Sequence, residues 1–314
     1  MYDAFAITVR TVDAMGEELN RIWLRAHAKL NLALTVGPPI DEPGSRTHGF
    51  HPICSYMHAI GLFDEIELRR SETTSYDIRW VTPGGETREV EWDIEGDLIA
   101  RIHRVISDRV GQELPCVIRV RKSIPAGGGL GGGSSDAASV LLGLNQMFGL
   151  KLEQPALVEM AMSIGSDIAY FIDPGFTPPR PAIVAGFGEQ IERVETSHRG
   201  QVLTLIFPDF GCPTGSVYRA FDSIVDRGAP DCERVRLVVD AENLSDDLVV
   251  NDLYPAACAV QAALGPLQKR LADAVGAGVH LSGSGSTLYV LGRVEEGLLQ
   301  EVVPECRVVY TRLC

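Results

Sequence analysis

Several features are scarce or missing in this 314-residue chain, and each absence excludes something. Its seven cysteines (Cys54, Cys116, Cys212, Cys232, Cys258, Cys306 and Cys314) form no C-x-x-C pair, which argues against a zinc knot. Their odd number argues against a fully paired disulfide framework, so reduced thiols in a cytosolic protein are expected. Positive charge is in deficit: 28 Lys and Arg against 42 Asp and Glu leave a formal net charge of −14, with no basic run. Such a chain repels polyanions, so nucleic acid and anionic membranes are poor partners, while a small anion can still bind where positive charge is gathered locally. No apolar run approaches the ~20 residues that a membrane helix needs. Met1 to Asn20 carries acidic residues early and lacks the sustained apolar stretch of a signal peptide. A soluble, cytoplasmic protein is expected. What remains is ordinary globular composition, 45% hydrophobic and 22% charged, in a length that suits about two domains.

The first third reads mainly as strands. Leu30, Leu32 and Leu34 alternate with Asn31 and Ala33, and Ile66 and Leu68 alternate with charged residues. Tyr76 to Val81 and Glu89 to Ile94 continue the period of two, with a turn at Pro83-Gly84-Gly85. This alternation suits a half-exposed antiparallel sheet. Leu98 to Val110 has helical spacing, Cys116 to Lys122 is a further strand, and helices are expected over Ser134 to Phe148 and Leu157 to Ile164. Four prolines between Asp173 and Pro181 cannot sit inside an element, so the domain boundary is placed there: 1–178 as a nucleotide-binding domain and 179–314 as an acceptor-binding domain, with the last strand free to pack back on the first. The second half gives a strand at Val202 to Phe207, a helix from Thr214, more helices to Val275, and strands at Val279 to Leu281 and Thr287 to Leu291. The fold class expected is α+β.

The most informative segment is Pro125-Ala126-Gly127-Gly128-Gly129-Leu130-Gly131-Gly132-Gly133-Ser134-Ser135, where six of the 32 glycines crowd between a strand and a helix. Glycine permits positive φ and close approach, so successive bare N–H groups can curl around an anion, and the following helix directs its positive end to the same place. A polyphosphate is the expected occupant. A Walker A loop is excluded because no lysine follows the last glycine. Gly127, Gly129 and Gly132 satisfy G-x-G-x-x-G in form, but the preceding strand alternates Val117, Ile118, Arg119, Val120, Arg121 and is not a buried parallel strand. A flexible linker would scatter more polar residues and would not lead straight into a patterned helix.

Pro125 to Ser139 closely resembles the phosphate-binding motif of the GHMP small-molecule kinases, a family that includes galactokinase, homoserine kinase and mevalonate kinase. Further segments match in the family's order: Ala28-Lys29-Leu30-Asn31-Leu32, Gly49-Phe50-His51, Gly165-Ser166-Asp167-Ile168, Gly186-Phe187-Gly188-Glu189, Asn251-Asp252-Leu253 and Ser282-Gly283-Ser284-Gly285-Ser286-Thr287. The double triple-glycine form followed by Ser-Ser-Asp-Ala-Ala most resembles the branch whose acceptor is a cytidine diphosphate-linked alcohol of non-mevalonate isoprenoid synthesis. The resemblance implies a two-domain α+β fold with its site in the cleft between domains. It implies an ATP-dependent kinase using Mg²⁺, with a small-molecule acceptor. Sugar, homoserine or mevalonate acceptors, or a non-catalytic nucleotide-binding relative, are the alternatives.

By the same resemblance, Asp167 accepts the proton of the attacking hydroxyl, and Lys29 keeps that carboxylate ionised and helps neutralise the transferred phosphoryl. From the residues alone, Asp167 reads as a helix cap. Phe50 and Tyr218, the latter four residues after Thr214, would stack on the two faces of a cytosine while His51 reads its polar edge; as isolated residues they read as core aromatics. Asn31 would bond the substrate near the reacting hydroxyl. Ser134 and Ser135 would meet phosphate or cap the helix. His48, His51 and His58 have no common metal-ligand spacing, and no metal site is assigned. The chain departs from the family pattern in a long loop, Gly37 to His48, in Asp167-Ile168-Ala169 where Asp-Val-Pro is usual, and in the residues before Ile22.

Overall fold

The computed structural model describes residues 20–45, 47–82, 84–224 and 228–314. The expected turn residue Pro83 and most of the N-terminal extension lie outside these. In chain order the elements are β1 (Arg21–Val36), β2 (Ile53–Arg70), β3 (Ser75–Val81), β4 (Thr87–Glu89), α1 (Leu98–Val110), β5 (Cys116–Lys122), α2 (Gly132–Met147) and α3 (Gln154–Met162). There follow β6 (Ala182–Gly186), β7 (Gln190–Arg193), β8 (Val202–Phe207), α4 (Thr214–Ile224), α5 (Cys232–Asp240), β9 (Val250–Asn251), α6 (Tyr254–Val260), α7 (Leu264–Val275), β10 (His280–Leu281), β11 (Leu288–Leu291), α8 (Glu296–Val302) and β12 (Arg307–Arg312). Strands and helices mix without a doubly wound parallel sheet, as expected of α+β.

The chain divides into two compact units, and no single cut separates them. The first comprises the chain up to Ala28, Leu62–Ile124 and Gly131–Arg180; the second comprises Lys29–Gly61, Pro125–Leu130 and Pro181–Cys314. The expected cut at 178 therefore falls beside the last crossing, but the long strands β1 and β2 and the glycine run each pass from one unit into the other. β1 and β2 each run unbroken through the crossing, at Ala28–Lys29 and Gly61–Leu62, so no loop or turn marks it.

In the first unit the end of β2 pairs antiparallel with β5, from Glu65 opposite Arg121 to Arg70 opposite Cys116. β3 runs parallel to β5 and antiparallel to β4. The parallel pair departs from the antiparallel expectation because α1 supplies a crossover between its two strands. Asp97 caps α1 by accepting from the Ile99 N–H at 2.8 Å, and Gly111 closes it with φ of 68°. β4 stops at Glu89 instead of running to Ile94, because Asp93 turns the chain into a short 3-10 helix, Ile94–Gly96, by accepting from the Glu95 N–H. α2 starts at Gly132 with Gly131 as its cap, two residues before the expected Ser134.

In the second unit β1 continues as a parallel partner of β9, and the start of β2 pairs antiparallel with β6, itself hairpinned to β7. A four-stranded antiparallel sheet, ordered β10-β11-β8-β12, carries α4, α6 and α7 over a core that includes Leu34, Val217, Phe221, Leu253, Leu271 and Leu288. β12 pairs with β8, and the residues just after it reach β2 within 1–178, where Leu313 bridges Ile60 and the Cys314 N–H donates to Ala59 O at 3.0 Å. Among the described residues no helix is long and apolar enough to cross a membrane.

One expectation fails here. Cys54 on β2 and Cys232 at the start of α5 form a disulfide across a separation of 178 residues, while Cys116, Cys212, Cys258, Cys306 and Cys314 stay free. An odd count excludes only complete pairing, and spacing in sequence carries no information about two residues that the fold alone brings together. Under denaturing, non-reducing conditions a maleimide should label five thiols, rising to seven after reduction. Cys232→Ser should lower the unfolding free energy by ~2–4 kcal/mol. Seven labelled thiols without reduction would contradict the bridge.

Candidate active site

The glycine run is shaped by what accepts and what does not. Its carbonyls face protein: Gly128 O accepts from the Thr287 N–H at 3.3 Å, Gly129 O from the Lys29 Nζ at 3.0 Å and the Ser282 hydroxyl at 3.1 Å, and Leu130 O from the Lys29 N–H at 2.9 Å. Among the described residues, none of the backbone N–H groups from Gly127 to Ser134 is donated to a protein acceptor. Gly127, Gly129 and Gly131 alternate in the left-handed region, with φ of 69°, 73° and 69°. Alternation of this kind turns successive N–H groups to one side and makes a concave anion site. Gly129 also has no room for a side chain, since a Cβ there would sit 2.1 Å from Ser282 O. Ser134 and Ser135 occupy the first turn of α2 and do not cap it; the cap, Gly131, makes no side-chain bond.

Lys29 is 3% exposed in the middle of β1. Besides Gly129 O, its ammonium meets Asn31 Oδ1 at 2.6 Å. Asn31 in turn donates from Nδ2 to the Ser55 hydroxyl at 2.8 Å, and Ser55 donates to Ala33 O at 2.7 Å. Asn31 thus serves first as an orienter of Lys29. Asp167 lies half-buried in the other unit, in the first turn of a 3-10 helix, Ser166–Phe171, whose cap is Gly165. The simple capping role that its sequence context suggests is not the one it fills.

The aromatic residues form two separate pairs. Phe50 is 58% exposed and meets Phe187 edge-on, with centroids 6.5 Å apart. The long loop before it folds back through Gly49 N to Ile40 O and Ile40 N to Phe50 O, both at 2.9 Å, which holds Phe50 outward. His51 is buried, with its ring 5.1 Å from that of the half-buried Tyr218. Its Nδ1 lies 2.9 Å from Gly37 O and its Nε2 3.1 Å from Asp222 Oδ1. Both ring nitrogens therefore have protein partners, and Asp222 is one that sequence reasoning missed. Thr214, at the start of α4, shares a hydrogen bond of 2.9 Å with the Ser284 hydroxyl. Neither Phe50 nor Tyr218 is a fully buried core aromatic.

The matched Asn251-Asp252-Leu253 segment has a structural part, and a charge trio in the first unit is one that the sequence did not single out. Asn251 donates from Nδ2 to Leu281 O and Gly283 O, both at 2.8 Å, and Asp252 accepts from the Val36 N–H at 3.1 Å. The Asn-Asp-Leu motif is thus the brace of the Ser282–Thr287 loop that backs the glycine run. In the first unit Lys122, Asp64 and Asp136 form a buried charge trio. The available signal was the parity of β5, where Lys122 follows Cys116, Ile118 and Val120 on the buried face. Burial works against the Lys122 charge, but Asp136 and Asp64 more than offset it and hold its ammonium above the ordinary lysine range. Burial pushes the Asp136 carboxyl well above the usual carboxylate range, with Lys122 pulling the other way. Among the described residues no group of three or more His, Cys, Asp or Glu gathers as a metal site.

Comparison with known proteins identifies the family and the fold. Residues 97–175 match the model of the GHMP kinases N terminal domain. The chain is 31% identical over 276 residues to 4-diphosphocytidyl-2-C-methyl-D-erythritol kinase of Geobacter sp. (strain M21), covering 87% of this chain and 90% of that one. It is 33% identical over 282 residues to the chloroplastic enzyme of that name from Mentha piperita, covering 87% of this chain and 64% of the longer relative. A crystal structure of 4-(cytidine 5'-diphospho)-2C-methyl-D-erythritol kinase shares the fold with a TM-score of 0.71 at 24% identity, over 93% of this chain and 99% of that one. A mevalonate kinase follows at a TM-score of 0.63 and 13% identity, over 93% and 99%. The chain belongs to the 4-diphosphocytidyl-2-C-methyl-D-erythritol kinase family, within the ATP-dependent GHMP kinases.

Proposed function

We propose that this kinase transfers the γ-phosphoryl group of Mg-ATP to the 2-hydroxyl of 4-diphosphocytidyl-2-C-methyl-D-erythritol. The observation that carries the reading is the buried ammonium of Lys29, held against Gly129 O beside a run of backbone N–H groups that have no protein acceptor. That combination concentrates positive potential in an otherwise acidic chain, which is what a polyphosphate requires. Mg²⁺ enters with the nucleotide as part of the substrate, held chiefly by phosphate oxygens and water.

In this reading the N–H groups of Gly127 to Ser134 hold the ATP phosphates. Lys29, fixed by Asn31, neutralises charge that builds on the transferred group. Asp167 accepts the proton of the attacking hydroxyl as the oxygen–phosphorus bond forms and the bond to ADP breaks. Phe50 and Tyr218 offer flat apolar faces to a cytosine ring. His51, pinned by Gly37 and Asp222, acts as a fixed wall behind Tyr218. Thr214 sets the start of the helix that carries Tyr218.

Two outcomes test these roles. Asp167→Asn keeps the volume of the side chain but removes the base, so kcat should fall by at least ~10² while the affinity for Mg-ATP stays within about threefold. Unchanged turnover would remove Asp167 from the mechanism. Tyr218→Leu and Phe50→Leu should each raise KM for the cytidine-bearing acceptor by ~5- to 150-fold, since one stacked base is worth about 1–3 kcal/mol. KM for ATP should stay unaltered, and an equal rise in both constants would count against a cytosine site.

A further inference from the structure

Lys122 occupies a position that its strand reserves for the core. Cys116, Ile118 and Val120 fill the same face of β5, and Lys122 at its end is 4% exposed. A lone ammonium there would be costly to desolvate, yet two carboxylates meet it. Asp64, fully buried on β2, accepts from Lys122 Nζ through Oδ2 at 2.7 Å. Asp136, 1% exposed in the second turn of α2, accepts from the same nitrogen through its Oδ2. Asp136 Oδ1 is buried with no hydrogen-bond partner among the described residues.

The second oxygen of Asp64 gives the trio a further reach. Asp64 Oδ1 accepts from the backbone N–H of Ser123 and from that of Ile124, the latter at 2.8 Å. These are the last two residues before Pro125. The Ile124 side chain then meets the first residue of α2, since a Cβ on Gly132 would sit 2.8 Å from Ile124 Cγ2. One buried cation therefore ties down the residues that flank the run on both sides: Ser123 and Ile124 through Asp64, and the opening of α2 through Asp136.

We propose that Lys122, Asp64 and Asp136 are positioning residues for the nucleotide, fixing the exit of β5 and the entry of α2 at the separation that lets the glycine backbone between them cradle phosphate. The inference rests on the reading that this run holds ATP. Glycine loses more backbone freedom on ordering than any other residue, so a glycine-rich loop with loose ends binds an anion only after a large entropic loss. Anchored ends remove part of that loss before the ligand arrives. Two carboxylates on one lysine is a costly arrangement for stability alone, where apolar residues of similar volume would serve as well or better.

The test uses Lys122→Met, Asp64→Asn and Asp136→Asn in the full chain, with calorimetric affinities for a non-hydrolysable ATP analogue and for cytidine diphosphate, corrected for the folded fraction from circular dichroism. The expected result is at least a tenfold loss of affinity for the ATP analogue in the folded protein, with the cytidine diphosphate affinity within twofold of wild type. Asp136→Asn, which keeps shape and both backbone anchors of Asp64, decides the matter if the other two fail to fold. Folded variants that bind the analogue as wild type does, or that lose both ligands equally, overturn the positioning role. A wild-type protein with no affinity for the analogue would instead overturn the ATP reading beneath it.

Discussion

The arrangement of the glycine run depends on where its carbonyl oxygens go. Gly128, Gly129 and Leu130 each place their oxygen on a donor from the protein, and the main-chain and side-chain nitrogens of Lys29 supply two of those donors. A peptide whose C=O is pulled one way presents its N–H the other way, so anchoring the oxygens is what frees the nitrogens. Buried backbone groups are almost always paired, and a stretch of unpaired N–H groups is tolerable only where water or a ligand can reach it. The same lysine that neutralises phosphate in the proposed reaction therefore also builds the surface that receives it.

Within the second unit, this constraint accounts for the motifs gathered around Gly128 and Gly129. Gly128 and Gly129 are packed so closely against Thr287 and Ser282 that neither tolerates a Cβ. The Ser282–Thr287 loop that presses on them is itself braced. Asn251 holds it through Leu281 O and Gly283 O, and the Thr214 hydroxyl holds it through Ser284. Asn31 and Ser55 do the equivalent for the Lys29 ammonium. Asn31, Thr214 and Asn251 thus touch the lysine and the loop behind the glycine run, and set their geometry.

Much of this was legible in the sequence because it is written in local pattern. Helix α1 over Leu98–Val110, strand β5 over Cys116–Lys122 and strand β8 over Val202–Phe207 follow periodicity alone, and the glycine run announces an anion site by composition. What was not legible depends on residues far apart in the chain. The Cys54–Cys232 bridge, the Asp222 carboxylate on His51 and the Asp64 carboxylate on Lys122 each join segments that no short window contains. The division into two units is hidden for a related reason: β1 and β2 are each one continuous strand across the crossing, whereas the proline-rich segment interrupts the elements. Local context alone reads Asp167 as a helix cap, but Gly165 fills that position, without a side-chain bond.

Both the cytidine-linked acceptor and the ATP-dependent chemistry meet in one measurement. Purified protein is supplied with Mg-ATP, and ADP release is followed with 4-diphosphocytidyl-2-C-methyl-D-erythritol, with mevalonate, with homoserine and with no acceptor. The expected result is release that requires the first compound, with one phosphoryl group added to it per ADP formed. Release with mevalonate or homoserine but not with the cytidine-bearing compound would contradict the assigned acceptor, and no release with any of them would contradict the catalytic roles of Lys29 and Asp167.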